Sequence, residues 1–207
     1  MRYQAIFFDA DGVLIKNKFL FTDELKQDYG IEIEKTLPFF TGVYRQCSIG
    51  KADLKDELVK VIDDWGWKGT VEELVGYWFT KGTQIDVEAL EYVRFIRDKG
   101  VRCYMATDQE EYRGEHLNKL LGDGQVFEHV FFSAQIGCSK KEPAFWDHVF
   151  EVINAASCSP FPDKEDRSRA LFIDDDLSKV DAVASFGIDT YLYTNMESLK
   201  QWLNQYL

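Results

Sequence analysis

Five short segments constrain this chain most: residues 3–8, 101–106, 129–132, 170–173 and 190–193. Each is four to six residues long, apolar almost throughout, rich in aromatic or β-branched residues, and bounded by turn or charged residues. Runs this short suit strands better than helices. Continuous apolar character, without alternation, marks strands buried on both faces. Amphipathic helical patterns separate them. Asp86 is placed to cap a helix carrying Val87, Leu90, Val93 and Ile96, with Gly100 as its stop. A second helix is expected from Asp108 to near Gly122, a third from Pro143, a fourth from about Ser178 to Phe186, and a last one carrying Leu199, Trp202, Leu203 and Tyr206. Strand–helix alternation predicts an α/β fold: a parallel sheet covered by helices on both faces.

Residues 15–85 interrupt that rhythm and carry helical patterns alone. Leu54, Leu58, Val61, Ile62 and Trp65 share a helical face, and Thr70 with Glu73 forms a capping box ahead of Leu74, Val75 and Trp78. The expected organisation is therefore an α/β core, residues 1–14 and 86–207, with a small all-helical cap at 15–85. Residues 157–169 hold two of the four prolines and many charges, the composition of an exposed loop.

The chain has 207 residues, and its 24 Lys and Arg against 36 Asp and Glu leave a formal charge of −12. Such a surface repels nucleic acid and anionic membranes, so neither is expected as a partner. The N-terminal apolar run, residues 5–8, is shorter than the roughly 7–15 residues of a secretory signal. No run reaches the roughly 18 apolar residues of a membrane span. A soluble cytoplasmic protein, monomer or homodimer, is the expectation. Cys47, Cys103, Cys138 and Cys158 form no C-x-x-C pair and are expected reduced, and His116, His129 and His148 lack metal-ligand spacing.

In open parallel sheets ligands bind beyond the carboxyl ends of the strands. Here the residues after each strand are informative. Asp9, Asp11 and Gly12 follow the first; Thr107 and Asp108 follow the second; Asp174, Asp175 and Asp176 follow the fourth; Lys140 and Lys141 precede the helix that Pro143 opens. Singly, Asp108, Asp123 or Asp176 reads as a helix cap or turn residue. If the strands are neighbours, several carboxylates, a hydroxyl and a lysine converge on one crevice. Close carboxylates repel unless a cation intervenes, and an all-oxygen set suits Mg²⁺. A metal beside a carboxylate is equipment for phosphoryl transfer, in which a carboxylate is itself a competent nucleophile. A second carboxyl two residues on is placed to protonate a leaving group and later to activate water.

The order Asp9-Ala10-Asp11-Gly12-Val13, Thr107, Lys140, Asp174-Asp175 resembles the haloacid dehalogenase-like hydrolase superfamily over nearly the whole chain. Residues 136–143 (IGCSKKEP) are similar to its G-x-x-K-P-x-P stretch, and residues 172–180 (FIDDDLSKV) to its late acidic motif. The helical insertion resembles the subgroup with a small cap after the first motif. The resemblance implies a Rossmann-like core, an aspartyl-phosphate on Asp9, and Asp11 as general acid and then base. It also implies Thr107 hydrogen-bonded to the phosphoryl group and Lys140 as charge balance. Mg²⁺ would be held by Asp9, the backbone carbonyl of Asp11, Asp174 and Asp175.

The chain departs from that pattern at three places. Asp108 stands where relatives often have a neutral residue, Lys141 replaces a proline, and Lys179 replaces Asn or Asp. Asp11 with Asp174 and Asp175 points to a phosphatase acting on a small phosphorylated metabolite rather than a dehalogenase. A phosphomutase of the β-phosphoglucomutase type, or a non-enzymatic phosphate-binding relative, shares these groups. A receiver domain fits less well, because the third strand ends in Phe132-Ser133-Ala134 without an Asp. Substrate contacts are sought at Asp108 and, in the cap, at Lys16, Asn17, Tyr44 and Arg45, with Phe19, Phe21, Phe39 and Phe40 as walls.

Overall fold

The computed structural model describes residues 1–16, 20–155 and 166–207. Its sheet contains β1 (Ala5–Phe8), β2 (Arg102–Thr107), β3 (Val130–Phe132), β4 (Ala170–Asp174) and β5 (Asp189–Leu192), all pairing in parallel in the order β3-β2-β1-β4-β5. β1 is central. Phe8 lies opposite Met105 of β2 and Ile173 of β4, so the chain leaves the sheet at Asp9, Thr107 and Asp174 along one edge.

The two-residue period of the strands sorts their side chains into two cores. Ile6, Phe8, Cys103, Met105, Leu171 and Ile173 pack on one face with helix residues such as Val93, Ile96, Leu117, Leu199 and Leu203. Ala5, Phe7, Tyr104, Phe131 and Phe172 pack on the other with Phe145, Trp146, Val149 and Val183. The parallel sheet buried on both faces is the expected architecture.

Between β1 and β2 lie α1 (Phe21–Tyr29), α2 (Ile33–Thr41), α3 (Tyr44–Cys47), α4 (Leu54–Val59), α5 (Ile62–Trp65), α6 (Val71–Gly82) and α7 (Val87–Asp98). The first six enclose their own apolar cluster, built around Leu25, Phe39, Leu58, Trp65, Leu74 and Trp78. The two connections to the sheet run side by side: Lys16 N–H donates to the Gln84 carbonyl at 3.0 Å, Asp86 N–H to the Leu14 carbonyl at 2.8 Å, and Lys16 pairs with Asp86. Thr70 and Glu73 close the expected capping box on α6. The face shared by Leu54, Leu58, Ile62 and Trp65 is divided between α4 and α5, because Val61 leaves helical geometry (φ −125°, ψ −16°) and turns the chain.

The core is completed by α8 (Glu111–Leu121), α9 (Ser133–Ile136), α10 (Pro143–Ala155), α11 (Leu177–Ala184) and α12 (Met196–Leu203). The expectation that a helix begins at Asp108 is corrected. Glu110 is the N-cap of α8, taking the Tyr112 and Arg113 N–H groups at 2.8 and 2.7 Å, while Asp108 bonds elsewhere. The expected loop at 157–169 falls largely outside the described residues, as does Cys158; its end is a short 3₁₀ turn, Arg167–Arg169, capped by Asp166. Cys47, Cys103 and Cys138 are free thiols. Among the described residues no helix is long and apolar enough to cross a membrane.

Helix α8 approaches the sheet through Gly114, where a Cβ would overlap the Phe132 ring. Gly114→Ala should therefore destabilise the protein by about 1–3 kcal/mol through overpacking, although Gly→Ala at an open helix position gains about 1 kcal/mol. Urea unfolding of the variant checks the sign.

Candidate active site

Asp9 leaves β1 buried, its N–H bonded to the Ile173 carbonyl at 2.9 Å. Gly12 follows at φ +81°, which turns the chain back sharply. A Cβ on Gly12 would overlap the Asp175 carboxylate and would be strained at this φ, so glycine suits the close approach of the first acidic loop to the last one.

Lys140 is the centre of the charge arrangement. Its side chain is fully buried, and Nζ lies 2.7 Å from Asp9 Oδ1 and 2.8 Å from Asp174 Oδ2. Lys141 is exposed. Lys179 approaches from α11, 3.7 Å from Asp9 Oδ2 and 3.9 Å from Asp174 Oδ2. Burial alone would raise the Asp9 pKa; Lys140, Lys179 and the hydrogen bonds from Lys140 and Ala10 N–H outweigh it and hold the carboxyl below its ordinary value. Asp174, buried and facing Asp9, is pushed up to about 6, with both lysines opposing that rise. Burial works against the Lys140 ammonium as well, yet Asp9, Asp174 and Asp108 hold its pKa above the ordinary value.

The carboxylates of Asp9, Asp174 and Asp175 place an oxygen each within 4.8 Å of one another. This all-oxygen donor set, with two members buried and Asp175 exposed, fits a hard divalent cation such as Mg²⁺. The Asp11 carboxylate stands outside the group. It faces Arg113, whose Nη2 and Nη1 donate to Oδ1 and Oδ2 at 2.6 and 3.0 Å, and Gln109 Nε2 donates to Oδ2 at 2.7 Å. Gln109 also reaches Thr107 Oγ1 at 3.4 Å.

Asp108 turns away from α8 to the lysine loop, accepting from Lys140 N–H at 2.9 Å and from Ser139 Oγ at 3.2 Å. It thus helps to position Lys140 while lining the cavity. That cavity, about 570 Å³, is bordered by Asp9, Asp11, Thr107, Asp175 and Lys179, with Lys16 at its rim. The remaining sequence candidates are dispersed. Arg45 is exposed on α3 and borders neither this cavity nor its neighbour under the helical insert. Phe39 and Tyr44 pack in the insert's aromatic cluster, 6.2 Å apart between ring centres. Phe21 and Phe40 line the neighbouring cavity. Asn17 and Phe19 lie outside the described residues.

Residue reading missed Gln109, Glu110 and Arg113. The signal available was their place: the loop and first helical turn after Thr107, where the crevice rule puts side chains near a ligand. Arg113 is 5 % exposed and also donates to the Gly82 carbonyl at 2.8 Å, tying the end of α6 to Asp11. Two further bonds join insert to core: Ser133 Oγ to the Ser48 carbonyl at 2.5 Å, and Tyr112 Oη to Asp53 Oδ2 at 2.7 Å.

The family model for haloacid dehalogenase-like hydrolases matches residues 3–187. The chain belongs to that family. It is 23% identical over 187 residues to the sesquiterpene phosphatase astK of Aspergillus oryzae, covering 90% of this chain and 87% of the relative. The fold is similar to that of the enzyme bt-2542 of Bacteroides thetaiotaomicron in its magnesium complex, with a TM-score of 0.77 and 18% identity over 98% of this chain and 99% of that one. A complex of the same enzyme with magnesium and inorganic phosphate gives 0.74 and 18% over 95% and 98%.

Glu110 offers a pH test of this region. Burial pushes it up to about 7, against the two N–H groups it caps and the Arg113 charge. Because the folded value exceeds the ordinary 4.5, its contribution to stability is complete below that value and is lost as pH rises through about 7. Glu110→Gln removes this titration. The wild type should lose about 2–3 kcal/mol more than the variant between pH 5 and 8, measured as the change in urea midpoint of each protein.

Proposed function

We propose that this family member is a Mg²⁺-dependent phosphatase that hydrolyses phosphate monoesters through an aspartyl-phosphate on Asp9. The observation that carries the reading is the buried Lys140 ammonium between Asp9 and Asp174, which keeps a buried carboxylate ionised beside an all-oxygen metal set. The phosphatase activity named for the Aspergillus relative, and the magnesium and phosphate bound by the Bacteroides enzyme, support it.

Asp9, Asp174 and Asp175, with the Asp11 carbonyl, would hold the ion. When bound, Mg²⁺ neutralises phosphate oxygens and orients the ester for in-line displacement. The protein's own groups supply the rest. Ala10 N–H and Lys140 Nζ both hold Asp9 Oδ1, fixing the carboxylate plane. An Asp9 oxygen forms the bond to phosphorus as the ester oxygen departs, taking a proton from Asp11. Water then attacks the phosphoryl group, gives its proton to the Asp11 carboxylate, and releases phosphate and Asp9. Asp11 lines the same cavity as Asp9, with its carboxylate held by Arg113 and Gln109. Thr107 and Lys179 border the same cavity, where they would donate to phosphate oxygens. Leu20, at the start of the helical insert, borders this cavity; excluding water from it would strengthen the electrostatic contacts inside.

Full chelation should abolish release of phosphate from an aryl phosphate monoester such as p-nitrophenyl phosphate, and added Mg²⁺ should restore it; hydrolysis above the protein-free rate that persists without divalent ions sinks the proposal. Asp9→Asn should fold, bind phosphate and release no product. The paired lysines give a sharper comparison. Lys140→Ala should lower kcat by about 10²–10³, the cost of one preorganised donor at a developing charge. Lys141→Ala should leave kcat within about twofold, since surface substitutions of this kind are close to neutral. A larger loss from Lys141→Ala would overturn the role given to Lys140.

A further inference from the structure

A second cavity, about 360 Å³, lies under the insert beside the catalytic one. Its walls are mainly apolar: Leu20, Phe21, Leu37, Phe40 and Trp78. Phe21 stacks on Trp78, with centres 4.7 Å apart and planes 12° apart, and Phe40 meets Trp78 edge-on at 5.4 Å. Asp11 and Leu20 border both cavities, so the two adjoin. The cations facing the apolar cavity are already committed. Lys81 Nζ pairs with Asp28 at 2.7 Å and Glu24 at 3.3 Å, and Arg113 pairs with Asp11 and the Gly82 carbonyl.

We propose that this cavity receives the alcohol part of the substrate, and that this part is a hydrocarbon chain or ring system of about a dozen carbons. The inference rests on the phosphatase reading and extends it. Asp11 is the group proposed to protonate the leaving oxygen, and it lines the apolar cavity as well as the cavity that Asp9 lines, whereas Asp9 lines only the latter. Whatever is attached to that oxygen therefore points into the apolar cavity. A volume of 360 Å³ corresponds to about a dozen water-sized groups at roughly 30 Å³ each. Thr22, Glu24, Lys81, Arg113 and Asp11 also line this cavity, but its charged members are paired with one another, with Asp28 or with the Gly82 carbonyl; sugar hydroxyls buried against Phe21, Phe40 and Trp78 would lose water and have to compete for those groups, which is costly. A second phosphate would find both nearby cations engaged with carboxylates. An apolar chain meets neither penalty and gains the transfer free energy of each methylene.

The test is a series of n-alkyl phosphates from ethyl to hexadecyl, below their micellar concentrations, with acetyl phosphate, glucose 6-phosphate and AMP alongside. The expected kcat/KM rises by up to about fourfold per methylene, the equivalent of about 0.8 kcal/mol, and levels off near a dozen carbons. Glucose 6-phosphate and AMP should fall at least about 100-fold below decyl phosphate, the effect of a few methylenes. Leu37→Glu, a change at a half-exposed helix position, should flatten the series. Calorimetric titration with ethyl and decyl phosphonates gives a readout independent of turnover, with the decyl compound binding more tightly. A flat series, or glucose 6-phosphate turned over as well as decyl phosphate, overturns the substrate class and leaves the phosphatase reading intact. Chain-length-dependent binding without hydrolysis of any ester overturns the phosphatase reading and leaves the apolar site intact. Chain-length-independent phosphonate binding overturns the apolar site.

Discussion

A single ammonium group, Lys140 Nζ, bridges two buried carboxylates at 2.7 and 2.8 Å, and the carboxyl end of the sheet is organised around it. Ionised Asp9 and Asp174 would repel each other at the end of adjacent strands if nothing lay between them. Burying the lysine is equally unfavourable by itself. Each makes the other tolerable, and the arrangement holds only while its geometry is kept. Much of the surrounding structure does that. Asp108 anchors the Lys140 N–H, the Lys140 carbonyl accepts from Trp146 Nε1 at 2.9 Å, and Phe172 lies 5.2 Å from Nζ. The aromatic core between α10 and the sheet is thus also the support of the charged site.

A second, more open arrangement stands beside it. Arg113 joins the Asp11 carboxylate to the last carbonyl of α6, so the group proposed as acid and base is attached to the part of the insert that borders the apolar cavity. Gln109 extends the link to Thr107. A movement of the end of α6 would be felt at Asp11 through Arg113, which donates both to the Gly82 carbonyl and to the Asp11 carboxylate. The contacts of Ser133 with Ser48 and of Tyr112 with Asp53 brace the other side of the insert.

The division of labour between the two arrangements follows from their surroundings. Around Asp9 the groups are buried, charged and fixed, as suits a chemical step that develops charge at a defined point. Around Phe21, Phe40 and Trp78 the groups are aromatic and form a broad wall, as suits recognition of shape and apolar surface rather than of individual hydrogen-bonding groups. The organic part of a phosphate ester would lie in the second environment while its phosphorus lies in the first, with Asp11 at the boundary.

The order and type of the core elements were legible in the sequence because strand burial and helix amphipathicity are local patterns with periods of 2 and 3.6 residues. The same holds for Asp9, Thr107, Asp174 and the lysine pair, whose positions at or just after strand ends or before α10 bring them to one edge once the strands run parallel. Several features were decided only by the fold. The family resemblance already pointed to Lys140 of the lysine pair; the fold adds that its ammonium lies between Asp9 and Asp174 while Lys141 meets solvent. Asp108 serves the lysine loop and leaves the capping of α8 to Glu110. Arg113 reaches Asp11, 102 positions away in the chain. Arg45, by contrast, stays in solvent. Local sequence reports what a residue prefers along its own helix or strand; which carboxylate a long cation meets depends on how separate segments pack, and that is a property of the tertiary structure.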